Sequence, residues 1–266
     1  MSTRIQIITL EPQSSNVRVL TAALAAEGLE ASCFPAIDGR QQAPALEAGE
    51  YLDEAAALRY RRTLLTRSEI GCYLSHLRAV RQAFEEGVER LCLLEDDVAL
   101  EAGFGDVFRG LQDLTDQRYE FVRLMALKHR RRKPAKTLPA NRMLTRPFKG
   151  LCGTQGYVVN RNGMRKILEH GTRIWRPIDK FYDHFWDTGL ACYLVEPHII
   201  FELPSPSSIS KSTTQHPAAS PLQGLQKTGL KLWRSWRLRL HRWQRFAEFY
   251  PHTRTRGAYG RTERIR

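Results

Sequence analysis

The chain has no Cys-x-x-Cys pair, no long apolar run and, over its last forty-two residues, almost no acid. Each absence excludes something. Five widely spaced cysteines (Cys33, Cys72, Cys92, Cys152 and Cys192), odd in number and mostly flanked by apolar residues, do not make a disulfide framework or a structural zinc site. They read as small buried hydrophobes in a reducing compartment. No window reaches the roughly 18 apolar residues of a membrane span, and Met1 to Leu10 lacks the basic start and apolar stretch of a secretory leader. A cytoplasmic protein is expected. The acids are missing from Leu225 to Arg266, where 12 Lys or Arg face only Glu248 and Glu263, so this segment carries +10 of the net +13. The strongly basic balance therefore describes the tail and says little about the chemistry of residues 1–224.

What remains is an ordinary globular composition, 42% hydrophobic and 9% aromatic in 266 residues, enough for one large α/β domain with an appendage. Ile5, Ile7, Ile8 and Leu10 form a β-rich run, and a helical pattern through Val17, Leu20 and Leu24 is stopped by Gly28. A short strand from Ala31 to Ala36 follows and leads into Asp38-Gly39. As a right-handed βαβ unit, this arrangement puts the loops after Leu10 and Ala36 on one edge of a parallel sheet. Residues 40–65 read as a helix-containing excursion. Thr66-Arg67-Ser68-Glu69 resembles a capping box opening a helix to about Glu86 that carries Ser75 and His76.

The most informative junction comes next. Leu91-Cys92-Leu93-Leu94 reads as a buried strand that ends in Glu95-Asp96-Asp97. Three adjacent carboxylates at a strand end call for a cation, and the carboxyl edge of an α/β sheet is where ligands bind. Strand alternation sets Glu95 and Asp97 on one side and Asp96 on the other. Further on come a helix from Phe104 to Leu114, a strand near Phe121 to Met125 and a basic run from Lys128 to Lys133. That run reads as a solvated or anion-binding loop. A glycine-rich approach, a strand at Tyr157 to Val159 and a helix occupy 150–168. Arg176-Pro177-Ile178-Asp179 opens another helix, on which Asp179 and Asp183 face the same way. Residues 203–221, rich in Ser, Thr and Pro, read as a linker or lid, and His216 lies in them. If Leu230 to Tyr250 is helical, Trp233, Trp236, Leu240, Trp243, Ala247 and Tyr250 form one stripe, with most of the arginines opposite. Such a helix suits an anionic membrane surface, a docking face on the main domain, or RNA.

Four segments, in order, resemble glycosyltransferase family 25, the family of lipooligosaccharide and collagen galactosyltransferases. They are Ile5 to Leu10 with Arg18, Ala36-Ile-Asp-Gly39, Leu65-Thr-Arg-Ser-Glu-Ile-Gly-Cys-Tyr-Leu-Ser-His76 followed by Leu93-Leu-Glu-Asp-Asp-Val98, and Gly156-Tyr157 to Gly163 with Pro177-Ile-Asp179. The resemblance covers about residues 4–210. It implies a GT-A-like, Rossmann-type mixed sheet flanked by helices in residues 1–222, with residues 223–266 as a basic, tryptophan-rich helical tail. It further implies an inverting, metal-dependent hexosyltransferase that moves a sugar, galactose from a UDP-linked donor, to a lipooligosaccharide or glycolipid acceptor at the inner face of the cytoplasmic membrane. The donor site falls on Thr9, Leu10, Asp38, Glu69, Ser75, Asp96, Gly156 and Tyr157, and Thr9 stands where the family usually has Asn. Mn²⁺ or Mg²⁺ falls to Glu95 and Asp97, with Asp97 the direct ligand and His216 completing the shell. Asp179 is the general base, with Asp183 and His76 in reserve. The tail meets the membrane surface, and no specific nucleic acid is a partner. The competing readings are a metal-dependent phosphoesterase built on the three acids and a nucleic-acid-binding protein acting through the tail.

Overall fold

A computed structural model of the protein describes residues 3–114, 116–128, 130–204 and 221–253. The chain opens with β1 (Thr3–Thr9), α1 (Ser15–Ala26) and β2 (Ser32–Pro35), and β1 and β2 pair in parallel as the βαβ reading requires. Ser14 starts α1 by accepting from the Val17 amide. The excursion holds β3 (Tyr51–Leu52) and α2 (Glu54–Arg61). The long helix α3 (Arg67–Glu85) begins at the expected capping box, in which Thr66 accepts from the Glu69 amide and Glu69 accepts from the Thr66 amide. Then come β4 (Arg90–Glu95), β5 (Val98–Leu100), α4 (Phe104–Gln112), β6 (Phe121–Arg123), β7 (Arg132–Leu138), β8 (Arg142–Pro147) and β9 (Gly156–Asn160). The remainder is α5 (Arg161–Gly171), β10 (Arg173–Ile174), α6 (Ile178–Asp183), α7 (Phe185–Thr188), β11 (Cys192–Glu196), β12 (Ile200–Glu202), α8 (Pro221–Gln244) and α9 (Phe246–Phe249).

Eight strands form one mixed sheet in the order β2-β1-β4-β9-β6-β11-β8-β7. The first three are parallel, and β9 inserts antiparallel between β4 and β6. Alternation along each strand divides the core in two. Leu91, Leu93, Tyr157 and Val159 face α3 and α5 on one side, while Cys92, Leu94 and Val158 join α1 and α4 on the other. Both faces are covered, which is why β4 is apolar from Leu91 to Leu94, up to its terminal acid. The expected mixed sheet flanked by helices is therefore what the chain forms.

Two readings change. The basic run is not a solvated loop throughout. Arg132 begins β7, buried, with its Nε donating to Glu196 Oε2 at 2.7 Å, and the Lys133 ammonium donates to the carbonyls of Ala247 and Tyr250. The tail is also no separate body over its described part, because Leu238 and Phe249 are buried in the same core as α3.

Candidate active site

The parallel strands β1, β2 and β4 all end at one edge of the sheet, and their last residues open onto a cleft of about 450 Å³. Because β9 runs the opposite way, its approach reaches the same edge: Gly156 pairs with Leu94, and the Glu95 amide donates to the Gln155 carbonyl at 2.8 Å. The cleft is thus lined by Thr9 and Leu10, by Ile37 to Arg40, by Glu95 to Asp97 and by Gly153 to Gln155. The start of α3 closes one wall. Gly71 is needed there, since a Cβ at that position would sit 2.5 Å from the Ile37 carbonyl oxygen. Ser75 Oγ locks the same contact by accepting from the Ile37 amide at 2.8 Å and donating to the Gly71 carbonyl at 2.7 Å. Glu69, besides capping α3, pairs with Arg61 at 3.0 Å.

The three acids do not continue as a strand. Asp96 and Asp97 form a turn between β4 and β5, so simple alternation does not govern them. Asp96 Oδ2 accepts from the Thr9 hydroxyl at 2.5 Å. Glu95 Oε1 accepts from the Thr154 hydroxyl at 2.5 Å and lies 3.3 Å from His76 Nε2. Burial works to raise the Glu95 pKa, but the bonds from His76 and Thr154 outweigh it and hold the carboxylate ionised. Asp97 has no such support. Its Oδ1 is buried without a hydrogen-bond partner, and burial together with the charges of Glu95, Glu202 and Asp96 pushes its pKa up to about 7.

His76 is buried beneath the acids, with Nδ1 3.1 Å from the Tyr157 hydroxyl, which lies 3.0 Å from that of Tyr182. A carboxylate can only accept, so Nε2 carries a proton and donates to Glu95. Both ring nitrogens are occupied, and His76 orients Glu95 and has no free lone pair to offer an acceptor. Cys72, near His76 and Glu95, is kept a neutral thiol because burial and the neighbouring carboxylates drive its pKa far up. A hard-oxygen cation fits the carboxylate oxygens of this turn, where Asp97 Oδ1 has no hydrogen-bond partner.

The predicted site residues separate accordingly. Thr9, Leu10, Asp38, Glu69, Ser75, His76, Glu95, Asp96, Asp97 and Asp179 all line the cleft. Gly156 and Tyr157 lie below it in β9: a Cβ on Gly156 would press on Ile200 and Leu94, and Tyr157 is fully buried. Asp183 is not in the cleft wall. It accepts from Arg123 at 3.0 Å and from the Leu151 and Cys152 amides at 2.9 and 3.0 Å, which keeps it ionised against burial. Its place is under the loop that delivers Thr154. Asp179 Oδ2 pairs with the Lys180 ammonium at 2.8 Å, and the same ammonium reaches Cys152 Sγ at 2.9 Å. That ammonium takes the position a metal would need among Cys152, Asp179 and Asp183. His216 lies outside the described residues.

Residues 2–182 match the family described as glycosyltransferase family 25 (LPS biosynthesis protein). The chain belongs to glycosyltransferase family 25. Among its relatives are procollagen galactosyltransferase 2 of Homo sapiens, 26% identical over 156 residues, which is 52% of this chain and 24% of that protein. Inactive glycosyltransferase 25 family member 3 of Homo sapiens is 27% identical over 149 residues, covering 50% of this chain and 25% of that protein. The chain thus spans about a quarter of the length of these relatives. Solved structures that align with it include A197 from STIV, at TM-score 0.43 and 13% identity over 77% of this chain and 87% of that one. Another is a glycosyltransferase involved in the glycosylation of the major capsid of PBCV-1, at TM-score 0.30 and 15% identity over 70% and 68%.

The family 25 region contains every cleft residue named above except Glu202. Three cleft residues carried no warning in the sequence. Thr154 and Gln155 sit in a glycine-rich approach that reads as a turn, and only the antiparallel placement of β9 brings them to Glu95. Glu202 arrives through pairing of β12 with β5, where it opposes Val98, and the Leu203 amide donates to the Asp97 carbonyl at 2.7 Å. Arg40, hydrogen-bonded to Asp38 once through its amide and three times through its guanidinium, is the one Lys or Arg among the described residues of the lining, against seven carboxylates.

Proposed function

We propose that this family 25 chain transfers a hexose, galactose by the names of its relatives, from a nucleotide-sugar donor to a glycolipid acceptor, with inversion and with a divalent metal. The observation that carries the reading is the buried, unpartnered Asp97 Oδ1 at the centre of an acid-rich cleft. A cleft this acidic repels a diphosphate unless a cation stands between them. Asp97, with Glu95 beside it, would hold Mn²⁺ or Mg²⁺, which when bound neutralises the charge of the departing diphosphate. The chain's own groups do the rest. Thr9 fixes Asp96 toward the donor, His76 and Thr154 fix Glu95, and Asp38 with Arg40 borders the nucleotide end of the cleft.

Transfer requires the acceptor hydroxyl oxygen to attack the anomeric carbon from the face opposite the leaving group, while the carbon–oxygen bond to the diphosphate breaks and the nucleotide departs with the electron pair. The hydroxyl proton goes to Asp179, whose carboxylate borders the cleft from the start of α6. Lys180 beside it holds that carboxylate in place. The acceptor is a lipooligosaccharide at the inner face of a membrane, a reading supported by the LPS biosynthesis description of the family. The experiment incubates the purified chain with nucleotide sugars, Mn²⁺ and a lipooligosaccharide acceptor. Asp179→Asn should lose transfer while keeping donor binding. Loss of donor binding instead would assign Asp179 to the donor site.

A further inference from the structure

Helix α8 has its polarity reversed. In an ordinary surface helix the apolar stripe faces the core and the arginines face water. Here three of the arginines turn inward. The Arg234 guanidinium lies 5.1 Å from the Tyr60 ring and 6.0 Å from that of Trp175, Arg237 pairs with Asp187 at 2.8 Å, and Arg242 lies 4.8 Å over Phe148. Leu238 and His241 are buried between them. Arg146 then holds Glu248 at 3.4 Å, and Lys133 holds the carbonyls of Ala247 and Tyr250, so the end of the helix is fixed as well. Apart from Leu238, large apolar residues are left outside: Leu232, Trp233, Trp236 and Trp243 on α8 and Phe246 at the start of α9 are each 54–73% exposed. Trp233 and Trp236 stack at 5.4 Å, and Trp243 follows two helical turns after Trp236 on the same face.

We propose that this outward face is a platform that seats the protein on an anionic lipid bilayer, with α8 lying in the plane of the headgroups. Three tryptophans presented together suit the boundary between headgroup and acyl chain, where the ring is buried and the indole N–H reaches a lipid oxygen. The charge selects the surface. No Asp or Glu occurs from Gly229 to Ala247, Arg239 is exposed on the helix, and residues 254–266 add five arginines against one glutamate. Two such faces brought together in a dimer would set two +10 tails against each other, whereas lipid phosphates complement them. The inward arginines make the platform rigid, so the tryptophans need no ordering on contact. The docking and membrane readings of the tail thus belong to opposite faces of one helix. The inference rests on the tail alone and does not depend on the sugar-transfer reading.

The test uses the full chain with vesicles of phosphatidylcholine and of equal parts phosphatidylcholine and phosphatidylglycerol, read by co-sedimentation and by tryptophan emission. The wild type should sediment with the anionic vesicles with a blue shift, and not with the neutral ones. Trp233→Ser/Trp236→Ser/Trp243→Ser should weaken that binding by about tenfold or more while leaving the melting temperature and donor binding unchanged. Arg239→Glu should weaken binding to the anionic vesicles by less than the triple variant does. A wild type that stays in the supernatant, or a triple variant that binds as the wild type does, overturns the proposal. So does a dimer that the triple variant dissociates in the absence of lipid, or binding to single-stranded RNA with none to vesicles.

Discussion

The Thr9 hydroxyl donates to Asp96 Oδ2 at 2.5 Å, tying the end of β1 to the acidic turn after β4. The same oxygen accepts from the Glu11 amide at 3.0 Å, so one side chain fixes both the first loop and the middle acid. A hydroxyl here does the work of aiming a carboxylate into the cleft.

Thr9→Val keeps the shape and removes both bonds. The expected cost in stability is about 1–2 kcal/mol, because a hydrogen bond to a partly solvated carboxylate is lost. Donor affinity should fall, and Thr9→Ser should restore it. Chemical denaturation together with donor titration of the two variants checks this.

Asp183→Ala tests whether this acid acts under the cleft. Removal strips the partner from the buried Arg123 and frees the Leu151 and Cys152 amides, at an expected cost of about 3–5 kcal/mol. The loop carrying Thr154 should loosen, and hydrogen exchange should rise at residues 150–155. An Asp183→Ala protein with unchanged stability and exchange but no transfer would mark Asp183 as a base after all.

A pH effect follows from His241. Burial, together with Arg146, Arg245 and Arg242, pushes its pKa down to about 4 from the ordinary value near 6.5. Between those two values the unfolded chain binds the extra proton and the folded chain does not. Stability contributed by neutral His241 is therefore full above about pH 6.5 and falls as the pH drops, by at most about 1.4 kcal/mol per unit, until the folded pKa is passed. His241→Gln should flatten that slope. Unfolding curves of both proteins at pH 7 and pH 5 measure the difference.

Much of this was legible because it is local. The capping box at Thr66 and Glu69, the βαβ opening and the apolar run into Glu95 depend on residues a few positions apart, and the structure places them as read. The turn at Asp96 and Asp97 was visible as acid but not as geometry, since β5 begins at once and breaks the alternation. Thr154 and Glu202 were hidden because each reaches the acids through a long-range strand pairing. Gly156 and Tyr157 were over-read: Gly156 serves a close approach between strands, and the ring of Tyr157 is a floor for His76. The sequence sets most arginines of α8 opposite the tryptophans, and Asp187, Tyr60 and Phe148 supply partners on the domain that no pattern within the helix could disclose.

The most direct measurement is divalent-dependent nucleotide release. Because one human relative is an inactive member of the family, membership alone does not decide activity. Purified chain, a panel of nucleotide sugars and Mn²⁺ should release nucleotide from at least one donor, with the release abolished by chelator and by Asp97→Asn. The metal should raise the melting temperature of the wild type and not of Asp97→Asn, whose metal-free form should be at least as stable because a crowded buried charge is gone. Release that persists in full with Asp97→Asn, or no binding and no release with any donor, would contradict the account.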